Sequence, residues 1–200
     1  MNISNKSTYD KIAVRWTNER KTAFVSNLII DFANKIKVGG KILDIGCGGG
    51  VPNASYLCNK AFELTGIDGS ENMIDIAIEN IPNSVFEVCD VIEYKPATSF
   101  DGILAWDSLF HLPYANQHDI YSKIYGWLNN GGWFLFSHTA VDGEIIDEMF
   151  DEKLYYSGLS TDVVRQLLID AGFKITMMTE DYKERDMDKA LVVQCQKIEK

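Results

Sequence analysis

From residue 40 to residue 140 the chain alternates two patterns. Short apolar runs are separated by longer stretches in which apolar side chains recur every three or four positions. The short runs predict buried strands and the longer stretches predict helices. Strands are expected at 41–45, 62–68, 85–89, 100–105 and 133–137. Helices are expected at about 51–60, 70–80 and 115–128, with another at 161–171 that Gly172 closes. Pro52 suits a first helical turn. Ser70 is placed to cap the helix that follows it, with Glu71 in its first turn. Before the first strand, Ile12, Val14, Trp16, Phe24, Leu28, Phe32 and Ile36 keep helical spacing and predict a helix from about 9 to 37, stopped by Gly39-Gly40. The run Asn129-Asn130-Gly131-Gly132 reads as the break between the 115–128 helix and the fifth strand.

Strands that alternate with helices predict a parallel sheet with both faces covered and right-handed crossovers. The end of the chain departs from this. "FKITMMTE" and "ALVVQCQK" both read as strands, with only nine charge-rich residues between them. A parallel return needs a crossover of about a dozen residues or more, so these two are expected to form an antiparallel hairpin. The expectation is an α/β fold with seven strands, the last antiparallel to the rest.

Composition narrows the class. The 200 residues, 46% hydrophobic and 12% aromatic, suit one domain over 1–200 with a sizeable core. The net charge of −10 and the lack of a basic stripe argue against a nucleic-acid partner. No run approaches the ~18 apolar residues of a membrane span. The opening Met1-Asn2-Ile3-Ser4-Asn5-Lys6 has no apolar signal core, so a cytoplasmic protein is expected. Cys47, Cys58, Cys89 and Cys195 form no C-x-x-C pair, and His111, His118 and His138 lack the spacing of a helical metal pair, so neither a metal site nor a disulfide framework is expected.

The candidate chemistry lies in "KILDIGCGGG", residues 41–50, a strand running into a glycine loop. A phosphate loop needs G-x-x-x-x-G-K-[ST], and no Lys-Ser or Lys-Thr follows. A dinucleotide loop needs G-x-G-x-x-G; its third glycine falls on Val51 or Asn53, depending on register. What is present is D-x-G-x-G-x-G: Asp44, Gly46, Gly48 and Gly50. Asp44 stands at the carboxyl end of the first strand, where open α/β sheets bind ligands. A buried carboxylate there calls for a cation or several donors. A ligand with an ammonium group and a sulfonium centre meets that need better than a pyrophosphate.

Residues 42–50, "ILDIGCGGG", resemble the first motif of class I S-adenosylmethionine-dependent methyltransferases of the small-molecule type. "LTGIDGSENMIDIA", "FEVCDV" and "FDGILAWDSLFHLP" resemble the motifs that follow it, in order and at suitable spacing. The resemblance covers about 40–137 and, more loosely, the terminal hairpin. It implies a Rossmann-like sheet in the order 3-2-1-4-5-7-6 and S-adenosyl-L-methionine as cofactor. It implies that Asp44 and the loop residues Gly46, Cys47 and Gly48 face the methionyl part. Asp68, beside Gly69, would hold both ribose hydroxyls and Met73 would pack on the adenine. Asp90 would accept from the adenine amino group, the Val91 N–H would reach the ring, and the Trp106 carbonyl would contact the methionyl amino group. "YDKIAVRW", residues 9–16, resembles the family's lid segment, which would bring Tyr9 and Trp16 to the pocket.

Methyl transfer is an in-line displacement, so positioning supplies most of the rate, and a general base helps only if the acceptor arrives protonated. His111 is the leading candidate base, ahead of Asp107 and His138, because histidine titrates near neutrality. Trp106-Asp107-Ser108-Leu109 stands where a nucleobase-amine enzyme would carry a D/N-P-P-Y-type motif, and no Pro-Cys pair is present. A small-molecule acceptor is therefore expected, taken by a monomer or homodimer. The acidic stretch of about 139–159 is the expected substrate-facing insert; it either steers a cationic amine or is a solvated face. A non-catalytic module of the same fold, or less readily a nicotinamide-dependent oxidoreductase, stands as the alternative.

Overall fold

The computed structural model describes residues 5–185 and 187–198, so most of the polar opening stretch and Asp186 lie outside the described residues. In chain order the elements are α1 (Asn5–Arg20), α2 (Asn27–Asn34), β1 (Lys41–Ile45), α3 (Asn53–Asn59), β2 (Glu63–Asp68), α4 (Glu71–Asn80), β3 (Val85–Val88) and β4 (Phe100–Ala105). Two short 3-10 turns, Leu109–His111 and Tyr114–Asn116, lead into α5 (Gln117–Trp127). Then come β5 (Leu128–His138), β6 (Gly143–Met149), β7 (Glu152–Gly158), α6 (Thr161–Ala171), β8 (Phe173–Glu184) and β9 (Met187–Lys197). Among the described residues no helix is long and apolar enough to cross a membrane.

The main sheet runs β3-β2-β1-β4-β5-β9-β8, parallel except for β9, which pairs antiparallel with β5 and with β8. This is the expected order and hairpin. Alternation along each strand sends successive side chains to opposite faces. Leu43, Ile103, Ala105, Phe134, Phe136 and Val193 join one apolar layer with α5 and α6. Ile42, Leu104, Leu135 and Val192 join the other, beneath Ile29, Phe32 and Ala33 of α2 and Ala54 and Leu57 of α3. The strand order reverses between β1 and β4, which opens a crevice at their carboxyl ends.

Three expected elements need correction, and the insert, for which no element was expected, has a structure of its own. The single helix of 9–37 is two helices. Ser26 breaks it by capping α2: its hydroxyl accepts from the Leu28 N–H (3.2 Å) and donates to Glu184 (2.7 Å), whose carboxylate also takes the Asn27 N–H. β5 starts at Leu128 instead of residue 133, because Leu128 pairs with Phe100 and the Asn-Asn-Gly-Gly run is absorbed as a register shift. The acidic insert is a β-hairpin, β6–β7, turning on Phe150 and Asp151 with φ of 57° and 66°. Its surface-facing acids hide the strand alternation. The terminal hairpin is also longer than its apolar runs, since most of the charged residues between them extend the strands.

The β6–β7 hairpin is held by one stripe of α1. The Asn5 side-chain amide accepts from Tyr155 N (2.8 Å) and donates to Tyr155 O (2.7 Å), as an adjoining strand would. Thr8 donates to Lys153 O (2.9 Å), Lys11 pairs with Glu152 (2.8 Å), and the Arg15 guanidinium lies 4.2 Å over the Phe150 ring. Ten helical residues rise about 15 Å and five strand residues span about 16 Å, so the contacts stay in step.

Candidate active site

The crevice between β1 and β4 opens into a cleft of about 870 Å³, mouth included, roofed by α1. A smaller compartment of about 360 Å³ adjoins it, and the two share Trp16, Gly46, Trp106 and Asp107.

The glycine loop is bare because its neighbours occupy the space a side chain would need. Gly46 and Gly48 have φ of 69° and 52°. A Cβ on Gly46 would stand 2.3 Å from Ser108 Cβ, one on Gly48 3.1 Å from the Trp16 ring, and one on Gly49 2.4 Å from Thr17 Oγ1. The Gly46 and Cys47 N–H groups are tied to Ile67 O (2.8 and 3.1 Å), which anchors the loop to β2.

Asp68, at the end of β2, lines the main cleft. One oxygen accepts from Gly48 N (3.0 Å) and the other from Ser70 N (2.9 Å). Burial pushes its carboxyl up while these two bonds pull it down. A carboxylate offers about four lone-pair directions, so both oxygens can still accept from a ligand. Asp44 belongs to the other side. Its place in the β1 alternation turns it to the face of Ile42, and it lines the small compartment. It is 4% exposed and has no hydrogen-bond partner among the described residues. Burial, and secondarily the charge of Asp68, raises its carboxyl from 3.8 to about 8.

Met73, Gly69, Asp90, Val91 and Trp106 all line the main cleft. Met73 is buried on α4, whose first turn is fixed by the Ser70 hydroxyl accepting from Met73 N (3.1 Å). Asp90 sits at the exposed rim with one oxygen accepting from Ile92 N (2.9 Å) and the other free for a ligand. Cys47 lines only the small compartment, and burial, then Asp68 and Asp44, holds its thiol protonated.

From α1, Trp16 lies against Gly48 and divides the two compartments. Arg20, one turn on, stacks its guanidinium 3.8 Å from the Trp16 ring and lines the small compartment with Asp44. Sequence pattern does not single out Arg20; its helical i,i+4 relation to Trp16 is the one signal available. Tyr9 donates its hydroxyl to His111 Nε2 (2.8 Å). Nδ1 lies 2.9 Å from the Tyr155 carbonyl, which can only accept, and 3.1 Å from the Asn5 amide nitrogen, which can only donate; we assign the proton to Nδ1 on the shorter contact, since the Asn5 amide has the Tyr155 and His111 carbonyls (2.7 and 3.5 Å) to donate to. Burial lowers the His111 pKa to about 4, against weaker opposing effects of the Tyr155 carbonyl and Asp107. His111 is therefore a neutral imidazole at pH 7 with its lone pair on Nε2.

The two other candidate bases are engaged. Asp107, held at φ 58°, accepts from Ser137 (2.9 Å) and pairs with Lys189 (2.7 Å). His138 is buried against Gln117 (2.8 Å), away from the cleft. Two acids of the insert bond tyrosines, Asp142 to Tyr114 and Glu144 to Tyr155. Among the described residues no group of three or more His, Cys, Asp or Glu is arranged to hold a metal ion.

A family model described as a methyltransferase domain matches residues 17–177. Phosphoethanolamine N-methyltransferase 1 of Arabidopsis thaliana is 31% identical over 162 residues, covering 76% of this chain and 32% of its own. The chain thus spans about a third of the length of such curated relatives. A solved S-adenosylmethionine-dependent methyltransferase from Methanosarcina mazei superposes with a TM-score of 0.71 at 18% identity, covering 87% of this chain and 98% of that one. An amino pentose methyltransferase from Micromonospora echinaspora, solved with S-adenosylmethionine bound, gives 0.71 at 12% identity, over 92% and 96%.

The unpartnered Asp44 carboxylate has a measurable cost. Its folded pKa of about 8 exceeds its unfolded value, so the folded state binds more protons and stability is lost as pH rises from about 4 toward 8. Asp44→Asn is expected to abolish that slope and to exceed the parent by on the order of 1–3 kcal/mol at pH 8. Denaturant unfolding of the ligand-free protein across pH 5–9 checks this; equal stability at pH 8 contradicts it.

Proposed function

The chain belongs to the methyltransferase-domain family, and from that premise we propose that it transfers a methyl group from S-adenosylmethionine to a small-molecule acceptor. The observation that carries the reading is the division of charge between the two compartments. Asp44, buried without a partner, and the stacked Arg20 share the small one; Asp68, with lone pairs to spare, faces the large one. An amino-acid zwitterion joined to a ribosyl adenine matches that division. Asp44 would take the ammonium, assisted by the Trp106 carbonyl, and Arg20 the carboxylate. Asp68 would accept from both ribose hydroxyls, Met73 and Val91 would pack on the adenine, and the free Asp90 oxygen would accept from its amino group. Tyr9 and Trp16 would close over the ligand from α1, so the lid is α1 alone; α2 is core.

S-adenosylmethionine bound there supplies a methyl group on a positively charged sulfur, an electrophile that needs no further activation. The chain's task is to hold the acceptor in line, exclude water and receive a proton. Tyr9 and His111 suit the last of these. As the acceptor's proton passes to Tyr9 Oη, the Tyr9 proton passes to His111 Nε2, and the imidazolium later releases it to solvent. Burial keeps that imidazole unprotonated in the resting site, and because it disfavours the imidazolium the proton is passed on readily after transfer. This pair favours an enzyme over a non-catalytic module, which has no use for an aligned Tyr-His bond.

Calorimetry with S-adenosylmethionine, S-adenosylhomocysteine and NAD tests the cofactor, and turnover of methyl-labelled cofactor tests the reaction. Binding of NAD alone overturns the reading; binding of S-adenosylhomocysteine without turnover on a broad acceptor panel favours the module. Asp68→Ala is expected to weaken S-adenosylhomocysteine by about 1–3 kcal/mol in the same calorimetry, the cost of unpaired buried polar groups. Affinity should also depend on pH. Asp44 shares its compartment with Arg20, Cys47 and Asp107 and feels Asp68, and it must ionise to meet an ammonium. S-adenosylhomocysteine binding is expected to weaken by up to about tenfold per unit as pH falls below about 8, and to be flat in Asp44→Asn. His111→Asn is expected to lower kcat by roughly 10²–10⁴-fold with S-adenosylhomocysteine affinity preserved. A kcat within threefold of the parent removes the proton-accepting role.

A further inference from the structure

Among the described residues, Ala61, Asp107, Phe150, Asp151, Asp181 and Arg185 hold a positive φ without being glycine. Asp107 alone of these lines a compartment, and it lines both. Its φ is 58°. A left-handed residue that carries a Cβ is costly, although aspartate tolerates it better than most. Such a step persists only where its surroundings hold it.

Three neighbouring strands supply the hold. Asp107 follows β4. On β5 the Ser137 hydroxyl accepts from Asp107 N (2.8 Å) and donates its one proton to Asp107 Oδ1 (2.9 Å). That leaves Oδ2, which Lys189 Nζ of β9 meets at 2.7 Å. Strand pairing puts the lysine there: Leu191 lies opposite His138 of β5, and Lys189 opposite Tyr182 of β8. The two side chains are only 16% and 22% exposed, so water and salt screen this pair less than a surface one. Neither Lys189 nor Ser137 lines either compartment. What the step directs is the site itself. Trp106, just before it, belongs with Trp16 and Gly46 to the wall the two compartments share. Ser108, just after it, packs on Gly46, and His111 follows in the same turn. A change of φ at Asp107 would swing these two sides apart.

We infer that Lys189, on the terminal hairpin, is a positioning residue of the cofactor site: acting through Asp107, it holds the left-handed step that keeps the shared wall in place where the amino-acid and ribosyl halves of the ligand meet. This rests on the methyltransferase reading of the site. The ion pair does its work before any ligand arrives, by removing conformations that binding would otherwise have to remove. Its effect therefore belongs to S-adenosylmethionine and S-adenosylhomocysteine alike, since the clamp holds backbone that both would meet. A glycine at 107 adopts positive φ freely, so there the clamp becomes dispensable.

Calorimetry on the full chain tests this with both ligands, alongside thermal unfolding of each variant. Lys189→Met keeps an apolar stem and removes the charge; it is expected to weaken S-adenosylhomocysteine and S-adenosylmethionine by the same factor, roughly 3–100-fold. Lys189→Arg, which keeps a cation, is expected to bind within threefold of the parent. In an Asp107→Gly background, Lys189→Met is expected to cost less than twofold; Asp107→Asn, which removes the ion pair and tolerates positive φ, serves as a second background with the same expectation. Affinity within twofold of the parent in Lys189→Met, with or without a lower unfolding temperature, overturns the inference. So does a loss of full size in both Asp107 backgrounds, which would place Lys189 on the ligand directly, or a change for S-adenosylmethionine alone, which would make the lysine a charge facing the sulfonium. Each of these leaves the proposed function standing. Failure of the parent to bind either ligand overturns the proposed function, and the inference with it.

Discussion

The site depends on a steric constraint at four glycines. Ser108 from the turn after β4, Trp16 and Thr17 from α1, and Ile81 and Ala77 around α4 occupy the positions where side chains on Gly46, Gly48, Gly49 and Gly50 would go. The loop is thus the surface on which three elements from separate parts of the chain converge. Its bareness gives a ligand access to the backbone, and it also lets α1 descend far enough for Trp16 to divide the cleft. A side chain at Gly46 or Gly49 would do more than crowd a ligand, because it would push away the elements that carry Ser108 or Trp16. The positive φ values at Gly46 and Gly48 add a second reason why no other residue serves there.

Electrostatics is arranged against the empty fold. Asp44 is buried, and the half-buried Asp68 carboxylate stands close enough to disfavour its ionisation further. Two backbone N–H groups compensate Asp68; Asp44 has no such relief. A net charge of −10 offers little background attraction to offset the cost. A protein selected for stability alone would not keep an unpaired acid at this position. A site that must recognise an ammonium gains from one, since the ligand supplies the missing partner and the stability returns as affinity. Arg20 has the opposite sign in the same small compartment, held by stacking on Trp16 instead of by an ion pair, so its donors stay available.

Much of this was legible in the sequence because it rests on local rules. The glycine spacing, the acids at strand ends, the Ser70 cap, the stop at Gly172 and the short gap between the last two strands each depend on a few adjacent residues, and the fold follows them. What was not legible depends on distant partners. Ser26 splits the long amphipathic stretch because Glu184, 158 residues away, accepts from it. β6–β7 conceals its alternation because its acids face solvent and tyrosines while α1 supports it from outside. Tyr9 and His111 were each singled out, but their bond spans 102 residues and no local pattern encodes it. Asn5 and Arg20 are ordinary surface or cap residues by type; only the positions of their neighbours give them roles.

The contact between α1 and β7 has a consequence for access. Asn5, Thr8, Lys11 and Arg15 lie along one helical stripe and bind Tyr155, Lys153, Glu152 and Phe150 in turn. Asn5 also holds the Tyr155 carbonyl that fixes the His111 tautomer. On its other side α1 is tied to α4 by Asp10, which accepts from Ser70 (2.7 Å), and by Thr17 against Met73. One helix thus borders both compartments of the cleft and reaches His111. Withdrawing it would expose both and would also remove Tyr9 from His111. On the proposed function, access and proton acceptance are therefore not separable: the Tyr9–His111 bond is made only while α1 is seated, and a seated α1 would also exclude water from the methyl group. The sheet supplies the positions of the acids, but α1 sets the conditions under which they can act.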